Sequence, residues 1–490
     1  MIYPWKSAIY PRKSSANDTI SSVDPRLIIA IFIGKIIAFL TKLTGSGATA
    51  APGLYALKID PSLVKKLSNQ IQHGSIIISG TNGKTTTARL TSDILSTKFN
   101  VIHNRQGSNL LRGIASTLIS KSSLLGKINE NLALWEVDEA TLPEAIENTN
   151  PQVVVLLNLF RDQLDRYGEV DIVRNKWQKI LEKLPKSTTL ILNADDPGIS
   201  ILANNFRGKV IFFGVNDKKI NLPEISHVAD IRHCLACGSN LEYSTLLSAH
   251  MGHYKCPSCN FKRPSPRVTV SNLKFNRNFS TSGQFSIFNL RRKYQANDIF
   301  QFSIHYNLPG LYNVYNVLAA TAVARIFKIK TSVIKKSLEN FTAAFGRFQS
   351  VQIRNKSVLI FLTKNPTGTN EVLRTIATKN KINLLAILND KIADGRDVSW
   401  IWDTNWEILK EKIKILSVSG TRAWDLATRF KYAGFNLSKK LVDEDISYSI
   451  NSTVKNLHNK DTLSILTTYT ALLEVQKTLS KMGSTQWHEQ

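Results

Sequence analysis

Two groups of residues in this 490-residue chain have the types and spacing to do chemistry. The first is Gly80-Thr81-Asn82-Gly83-Lys84-Thr85-Thr86, which follows an apolar run and opens a helix-like stretch. Glycines in such a turn let backbone N–H groups approach phosphates, and the start of a helix adds partial positive charge. Lys84 would then neutralise the β- and γ-phosphates of a nucleotide, and the Thr85 hydroxyl would hold magnesium. Only Thr81 and Asn82 separate the two glycines, so the turn is shorter than the usual phosphate loop. A plain Gly-rich turn is the bland alternative. The second group is Cys234, Cys237, Cys256 and Cys259, the chain's only cysteines, in two CxxC pairs with 18 residues between them. That is zinc-ribbon spacing, and four thiolates form a closed tetrahedral site with no position left for catalysis. Gly238 and Pro257 suit tight knuckles, so the expected role is to fasten an insert spanning 231–266. His233 and His253 flank the pairs as bystanders, and Lys255, Lys262, Arg263 and Arg267 read as solvated basic surface. Two disulfides are the competing reading of the four thiols.

Something rigid must position both groups. SIIISG, VIHN, LALWEVD, VVVLLNL, TTLILNADD and KVIFFG are short apolar runs alternating with helical stretches. Such runs mark parallel strands covered on both faces, hence an α/β layered domain. The cysteine segment and a polar, aromatic-spotted stretch to about Tyr306 interrupt the pattern, which resumes after LPGLYN with a long apolar helix. VLIFLTKNP, LLAILND, IKILSVSG and LSILTTYTALL form a second α/β region. The predicted division is 1–45, a polar leader and apolar helix; 46–347, the nucleotide domain with its insert; and 348–490, a smaller α/β domain.

A formal charge of +26 calls for an anionic partner: nucleic acid, a membrane surface or a phosphorylated substrate. No run reaches the roughly 18 to 20 apolar residues of a membrane span. The longest candidate, Leu27 to Leu40, is interrupted by Lys35. It fits equally an interfacial helix or a helix buried against a partner. A secretory signal is not expected, so the predicted location is cytoplasmic, extending to the inner face of the plasma membrane if this helix meets lipid.

TNGKTTT resembles the loop of the Mur ligases and folylpolyglutamate synthases, which form amides through an acyl phosphate. The resemblance runs on through ALWEVDEATLPEA, LLNLFRDQLDRYGEVD, LNADDP, LPGLYNVYNVLAA and FGRFQ, in the family's order. HNRQGSNLLRGIAS, the cysteine insert, KNPTGTNEVLR and DGRDVSWIWD are similar to its lipid II isoglutaminyl synthase branch, over about Leu27 to Leu473. The resemblance implies a Mur-ligase-like central P-loop ATPase domain with a zinc-ribbon insert, followed by a smaller α/β C-terminal domain. It implies ATP, Mg2+ and Zn2+ as bound groups. It implies Glu136 as a magnesium carboxylate (or a helix-capping acid), Asn316 as an adenine contact, and Arg347 as a cation at the transferring phosphate (or an inter-domain ion pair). Lys364 and Asn365 would open the last domain's share of the nucleotide site. Two departures bear on this. Gln163 stands where these ligases carry histidine, and Lys176 is only loosely aligned with their carbamylated lysine. The sugar-nucleotide domain of the ligases has no counterpart here.

The implied reaction amidates the D-glutamate α-carboxylate of the lipid II stem peptide. With every cysteine committed to metal spacing, a glutaminase nucleophile has to sit elsewhere. The resemblance supplies it as a GatD-like class I glutamine amidotransferase, forming a heterodimer with this chain. An aspartate of the C-terminal domain would assist that partner, Asp397 first and Asp394 second among the acids of LNDKIADGRDVSWIWD; a turn whose acids simply cap the backbone is the competing reading. Trp400, Trp402 and Trp406 either fill the core or anchor the partner. The competing readings are a ligase acting alone and a nucleic-acid-dependent NTPase; nucleic acid is not the expected partner.

Overall fold

The computed structural model describes residues 24–43, 50–105, 108–161, 170–225, 229–276, 278–288, 299–341, 348–353 and 355–483. Arg347 and Gln163 lie outside the described residues, as does most of the polar leader.

All six apolar runs of the first region are strands: β1 (Ser75–Ser79), β2 (Val101–His103), β3 (Leu132–Glu136), β4 (Val153–Leu156), β5 (Thr189–Asn193) and β6 (Lys209–Val215). They are mutually parallel and stand in the order β6-β5-β4-β1-β3-β2. Because side chains alternate along a strand, Ile76 and Ile78 enter one core while Ile77 enters another on the opposite face. Helices cover both cores, as a parallel sheet requires. Helix Leu311–Ile326 is buried on nearly every side and packs against helix Lys84–Leu95.

The insert interrupts this sheet without ending it. After β6 the chain forms an antiparallel hairpin, β7 (Glu242–Ser248) and β8 (Met251–Lys255), then returns as β9 (Val268–Phe275), parallel to β6. β10 (Thr281–Phe288) and β11 (Ile299–Tyr306) add antiparallel strands, completing nine. The aromatic-spotted stretch is therefore the far edge of the central sheet rather than an excursion from it. Helix Pro25–Leu43 also belongs to this body, since Leu27, Ala30 and Ile31 share a core with Ala56 and Ile114.

The second region is a six-stranded sheet, β12 (Gln349–Ile353), β13 (Lys356–Leu362), β14 (Ile382–Ile387), β15 (Ile413–Ser419), β16 (Val442–Asp443) and β17 (Thr462–Thr467). Its order is β12-β13-β17-β14-β15-β16, parallel except at β12. Leu384 and Ala386 face one core and Leu385 and Ile387 the other.

Candidate active site and metal centre

In β1, β3 and β4 the carboxyl ends lie together where the strand order reverses, the place where open α/β sheets build their binding crevices. The loop after β1 is held there by its neighbours. Thr81 N–H donates to the Asn158 carbonyl at 3.0 Å, and Asn82 N–H to Asn158 Oδ1 at 2.8 Å. Asn158 Nδ2 returns a bond to the Asn82 carbonyl at 3.0 Å, so one amide just beyond β4 clamps the loop from both sides. Gly83, at φ 90°, needs its missing side chain: a Cβ there would lie 2.1 Å from Asn316 Oδ1. Asn316 is thus pressed against the loop, and its Oδ1 accepts from Thr87 Oγ1 at 3.2 Å.

Lys84 and Thr85 begin helix Lys84–Leu95. Lys84 Nζ reaches back to the Gly80 carbonyl at 2.6 Å and to Glu139 Oε2 at 2.7 Å, with both side chains under a tenth exposed. Thr85 Oγ1 donates to Glu136 Oε1 at 2.7 Å. Glu136 is fixed in turn by Asn104, whose amide accepts from its N–H and donates to its carbonyl, each at 2.9 Å. A hydroxyl and a carboxylate side by side at a helix start form an all-oxygen donor set of the kind magnesium takes.

Across the loop stands the C-terminal domain. Helix Pro366–Ile376 starts at Asn365, whose Oδ1 caps Gly368 N–H at 2.8 Å while its Nδ2 donates to Asn82 Oδ1 at 3.2 Å. Two helix N-termini from two domains therefore converge on one loop, and both favour anionic groups. Between them lies a cleft lined among others by Asn82, Gly83, Thr86, Tyr312, Asn316 and Glu371. Asn82 Nδ2 is buried with no hydrogen-bond partner among the described residues, a donor that a phosphate oxygen would satisfy. These residues fit a nucleoside triphosphate. Lys364, half-buried, directly precedes the capping Asn365.

The four cysteines come together, with Cys234 and Cys259 Sγ 3.6 Å apart and Cys237 and Cys256 Sγ 3.4 Å apart. All four sulfurs lie within 4.8 Å of one another. A tetrahedron of thiolates about 2.3 Å from zinc has edges of roughly 3.8 Å, so the cluster fits that ion. Gly238, at φ 79°, closes the first knuckle by donating to the Cys234 carbonyl at 2.8 Å. The small core beneath them is Ile231, Cys234, Leu241, Tyr254 and Cys256, with Leu235, Tyr243, Cys259 and Phe261 partly buried against it, too little to hold a fold unaided.

Arg263 does not behave as solvated surface. Its guanidinium pairs with buried Asp195, which also accepts from Tyr315 OH at 2.8 Å and from Val215 N–H at 2.7 Å. One carboxylate thereby ties the ribbon to β6 and to the helix that carries Asn316. His253, whose ring lies 2.7 Å from the Val215 carbonyl, helps in the same way. The hairpin's tip reaches the cleft: Ser248 and Met251 line it, and Ser248 Oγ donates to Glu371 Oε1 at 2.7 Å. The ribbon is a wall of the nucleotide cleft, a role its spacing does not announce.

Asp394 and Asp397 diverge. Asp394 is buried and accepts from Thr470 N–H at 2.7 Å and from the Thr470 hydroxyl, capping helix Tyr469–Lys481. Asp397 is exposed and accepts from Ser399 N–H at 2.8 Å. Trp406 is core, Trp400 packs against that core, and Trp402 is half exposed beside Tyr432. Lys176 is exposed on helix Val170–Glu182. Glu139, Asn104, Asn158, Ser248 and Glu371 were not singled out by sequence. Glu139 and Asn158 lie just beyond strand ends, a signal that could have found them; Ser248 and Glu371 meet across 123 residues, and no local pattern reports that.

The chain matches the family model described as the Mur ligase middle domain over residues 78–255, and that described as MurT ligase C-terminal over residues 362–472. It is 33% identical over 456 residues to the lipid II isoglutaminyl synthase (glutamine-hydrolyzing) subunit MurT of Staphylococcus aureus strain COL, covering 92% of this chain and 97% of that protein. To the subunit of the same name from Streptococcus pneumoniae strain ATCC BAA-255 / R6 it is 31% identical, over 92% of this chain and 96% of the other. A pseudomurein peptide ligase type C from Methanothermus fervidus superposes with a TM-score of 0.63 at 23% identity, over 85% of this chain and 80% of that one, which speaks to fold alone.

Proposed function

The chain belongs to the Mur ligase family, in its MurT branch, and from that premise we propose that it is the ATP-using subunit of a lipid II isoglutaminyl synthase. The reaction joins ammonia to the D-glutamate α-carboxylate of the lipid II stem peptide during peptidoglycan synthesis. The carboxylate oxygen attacks the γ-phosphorus of ATP and ADP leaves, giving an acyl phosphate. Ammonia then attacks the carbonyl carbon, phosphate departs and a proton is released, leaving D-isoglutamine.

The observation that carries this reading is the meeting of two helix N-termini, at Lys84 and at Pro366, over a cleft joined by the Asn82–Asn365 bond. Loop N–H groups and Lys84 bind the phosphates and offset the charge that builds during transfer. Thr85 and Glu136 would hold Mg2+, which supplies Lewis-acid polarisation of the phosphoryl oxygens. Asn316 orients the base end and Lys364 would stand at the phosphates; Arg347, outside the described residues, is proposed on resemblance alone as the cation at the transferring phosphate. Cys234, Cys237, Cys256 and Cys259 would hold Zn2+ in a purely structural role.

With all four thiols gathered in one cluster, ammonia comes from glutamine hydrolysed on a GatD-like partner in a heterodimer. Asp397, exposed at the carboxyl end of the C-terminal sheet, is the residue offered to that partner's catalytic pair. No described helix is long and apolar enough to cross a membrane. The substrate is lipid-linked, so the work is done at the inner face of the plasma membrane. Incubation of the paired subunits with ATP, glutamine and lipid II, followed by mass analysis, tests the reading. A product lighter by about 1 Da, as trapping of an acyl phosphate by ammonia gives, is expected. ATP turnover that ignores lipid II but responds to nucleic acid would overturn it.

A further inference from the structure

Helix Pro25–Leu43 is apolar on two opposite sides, and the described residues cover only one of them. Leu27, Ala30, Ile31 and Gly34 pack inward; Gly34 lies so close to Ile119 that a Cβ would come within 2.8 Å of its Cδ1. On the other side Ile29, Phe32, Ile36, Phe39, Leu40 and Leu43 are exposed, Phe39 and Leu43 by 63% and 67%. Their spacing places them in one stripe, roughly 21 Å long at 1.5 Å per residue. Leu54 and Tyr55 of the adjoining helix Ala51–Ile59 extend the apolar surface. Monomeric proteins rarely leave so continuous a face bare without a use.

Charge identifies the occupant. Pro25 through Ile59 contains no Asp or Glu but carries Arg26, Lys35, Lys42 and Lys58. The segment from Ile94 through Asn129, which includes the supporting helix Leu111–Lys121, also lacks acids and adds Lys98, Arg105, Arg112, Lys121 and Lys127, of which Arg105 and Lys121 pair with Asp93 and Glu130 just outside it. The bordering acids Asp24 and Asp60 are both held by Lys66, at 2.6 and 2.8 Å. At about 100° of turn per residue, Lys35 and Lys42 fall on one flank of the stripe and Arg26 on the other. A second copy would bring two cationic rims together, whereas an anionic bilayer offers acyl chains to the stripe and phosphates to the flanks.

We propose that helix Pro25–Leu43 lies in the plane of an anionic phospholipid surface, its Ile29-to-Leu43 stripe among the acyl chains and its lysines at the phosphates. The helix behind it leads back to the site: Asp138, two residues beyond Glu136, donates its N–H to the carbonyl of Asn109, just ahead of helix Leu111–Lys121. The seated layer thus stands one helix from the carboxylate that faces the phosphate loop. That a lipid-linked substrate benefits from this seat rests on the proposed function; the seat itself does not.

The test uses the full chain and sedimentation with vesicles of phosphatidylcholine, or of phosphatidylcholine and phosphatidylglycerol in equal parts, with no lipid II or ATP. Pelleting with the anionic vesicles and little with the neutral ones is expected. Binding should weaken about fivefold for each of Lys35→Gln, Lys42→Gln and Lys58→Gln. Phe32→Ser/Phe39→Ser should abolish it while the melting temperature is kept. Absence of pelleting at low salt, or undiminished pelleting of the double phenylalanine variant, would overturn the proposal. So would a dimer of the full chain that this variant dissolves without any vesicle binding. Because ligase turnover is not read, failure here leaves the proposed reaction standing, and failure of the reaction leaves this seat standing.

Discussion

Ser248, at the tip of the cysteine-bearing hairpin, donates its hydroxyl to Glu371 of the C-terminal domain across 2.7 Å, and both side chains are buried. Arg374 is the other partner of that carboxylate. Ser248→Ala removes a bond to a charged acceptor, worth roughly 1.5 to 3 kcal/mol. The KM for ATP should rise at least about tenfold, with kcat moving less, because the closed cleft is what loses stability. Steady-state kinetics at saturating second substrate would show it; an unchanged KM would reduce the contact to packing.

Lys84 and Glu139 are a buried pair, so Lys84→Met should do two separable things. Product formation should vanish with the phosphate contact. Stability should drop by about 3 kcal/mol because Glu139 is left buried without its cation. Adding Glu139→Gln should restore the denaturation midpoint but not the activity. Recovery of both would mean Lys84 serves the fold alone.

Zinc removal should be felt by the nucleotide. Purified protein is expected to hold one zinc on its four thiolates, and Cys256→Ser or a strong chelator should release it. Since Ser248 and Met251 line the cleft, ATP affinity should fall with zinc content in titration calorimetry. An affinity indifferent to metal would make the ribbon a separate module.

Hydrogen bonds from Ser399 hold the Asp397 carboxyl below its ordinary value, so it stays ionised throughout the neutral range. Asp397→Asn should abolish the glutamine-driven reaction while leaving the reaction driven by added ammonia intact. Asp394→Ala should instead lower stability by about 1 kcal/mol through loss of the cap at Thr470.

Both ring nitrogens of His103 are buried without hydrogen-bond partners among the described residues. Burial, reinforced by the charges of Arg105 and Arg89, pushes its pKa down to about 3. The unfolded chain therefore binds a proton that the folded one refuses between roughly pH 6.5 and 3, and stability is lost as pH falls through that window. The slope should approach about 1.4 kcal/mol per pH unit. Urea denaturation of His103→Phe at pH 7 and pH 5 should show a smaller loss than the parent; equal losses would acquit the histidine.

The phosphate loop and the cysteine cluster were legible because each is local: a few consecutive residues, or two pairs at fixed spacing, carry the signal. The parallel strands were legible because burial on both faces leaves continuous apolar runs such as Ile76 to Ile78. β9 to β11 were not, because a half-covered sheet edge mixes polar and aromatic residues and reads like a loop. Arg263 looked like surface charge for a related reason: Asp195, which buries it, lies 68 residues away. Glu371 needed the docking of two domains to acquire meaning.

Parallel neighbours cannot be joined by a tight turn, and between β6 and β9 the long way round is made by the ribbon, where most such folds use a helix. If zinc gathers those four sulfurs, a newly made chain without it would lack an ordered bridge over that gap, and the three strands beyond it would have nothing firm to align on. Metal supply would then govern how many chains ever mature, a dependence that assays on the finished enzyme would miss.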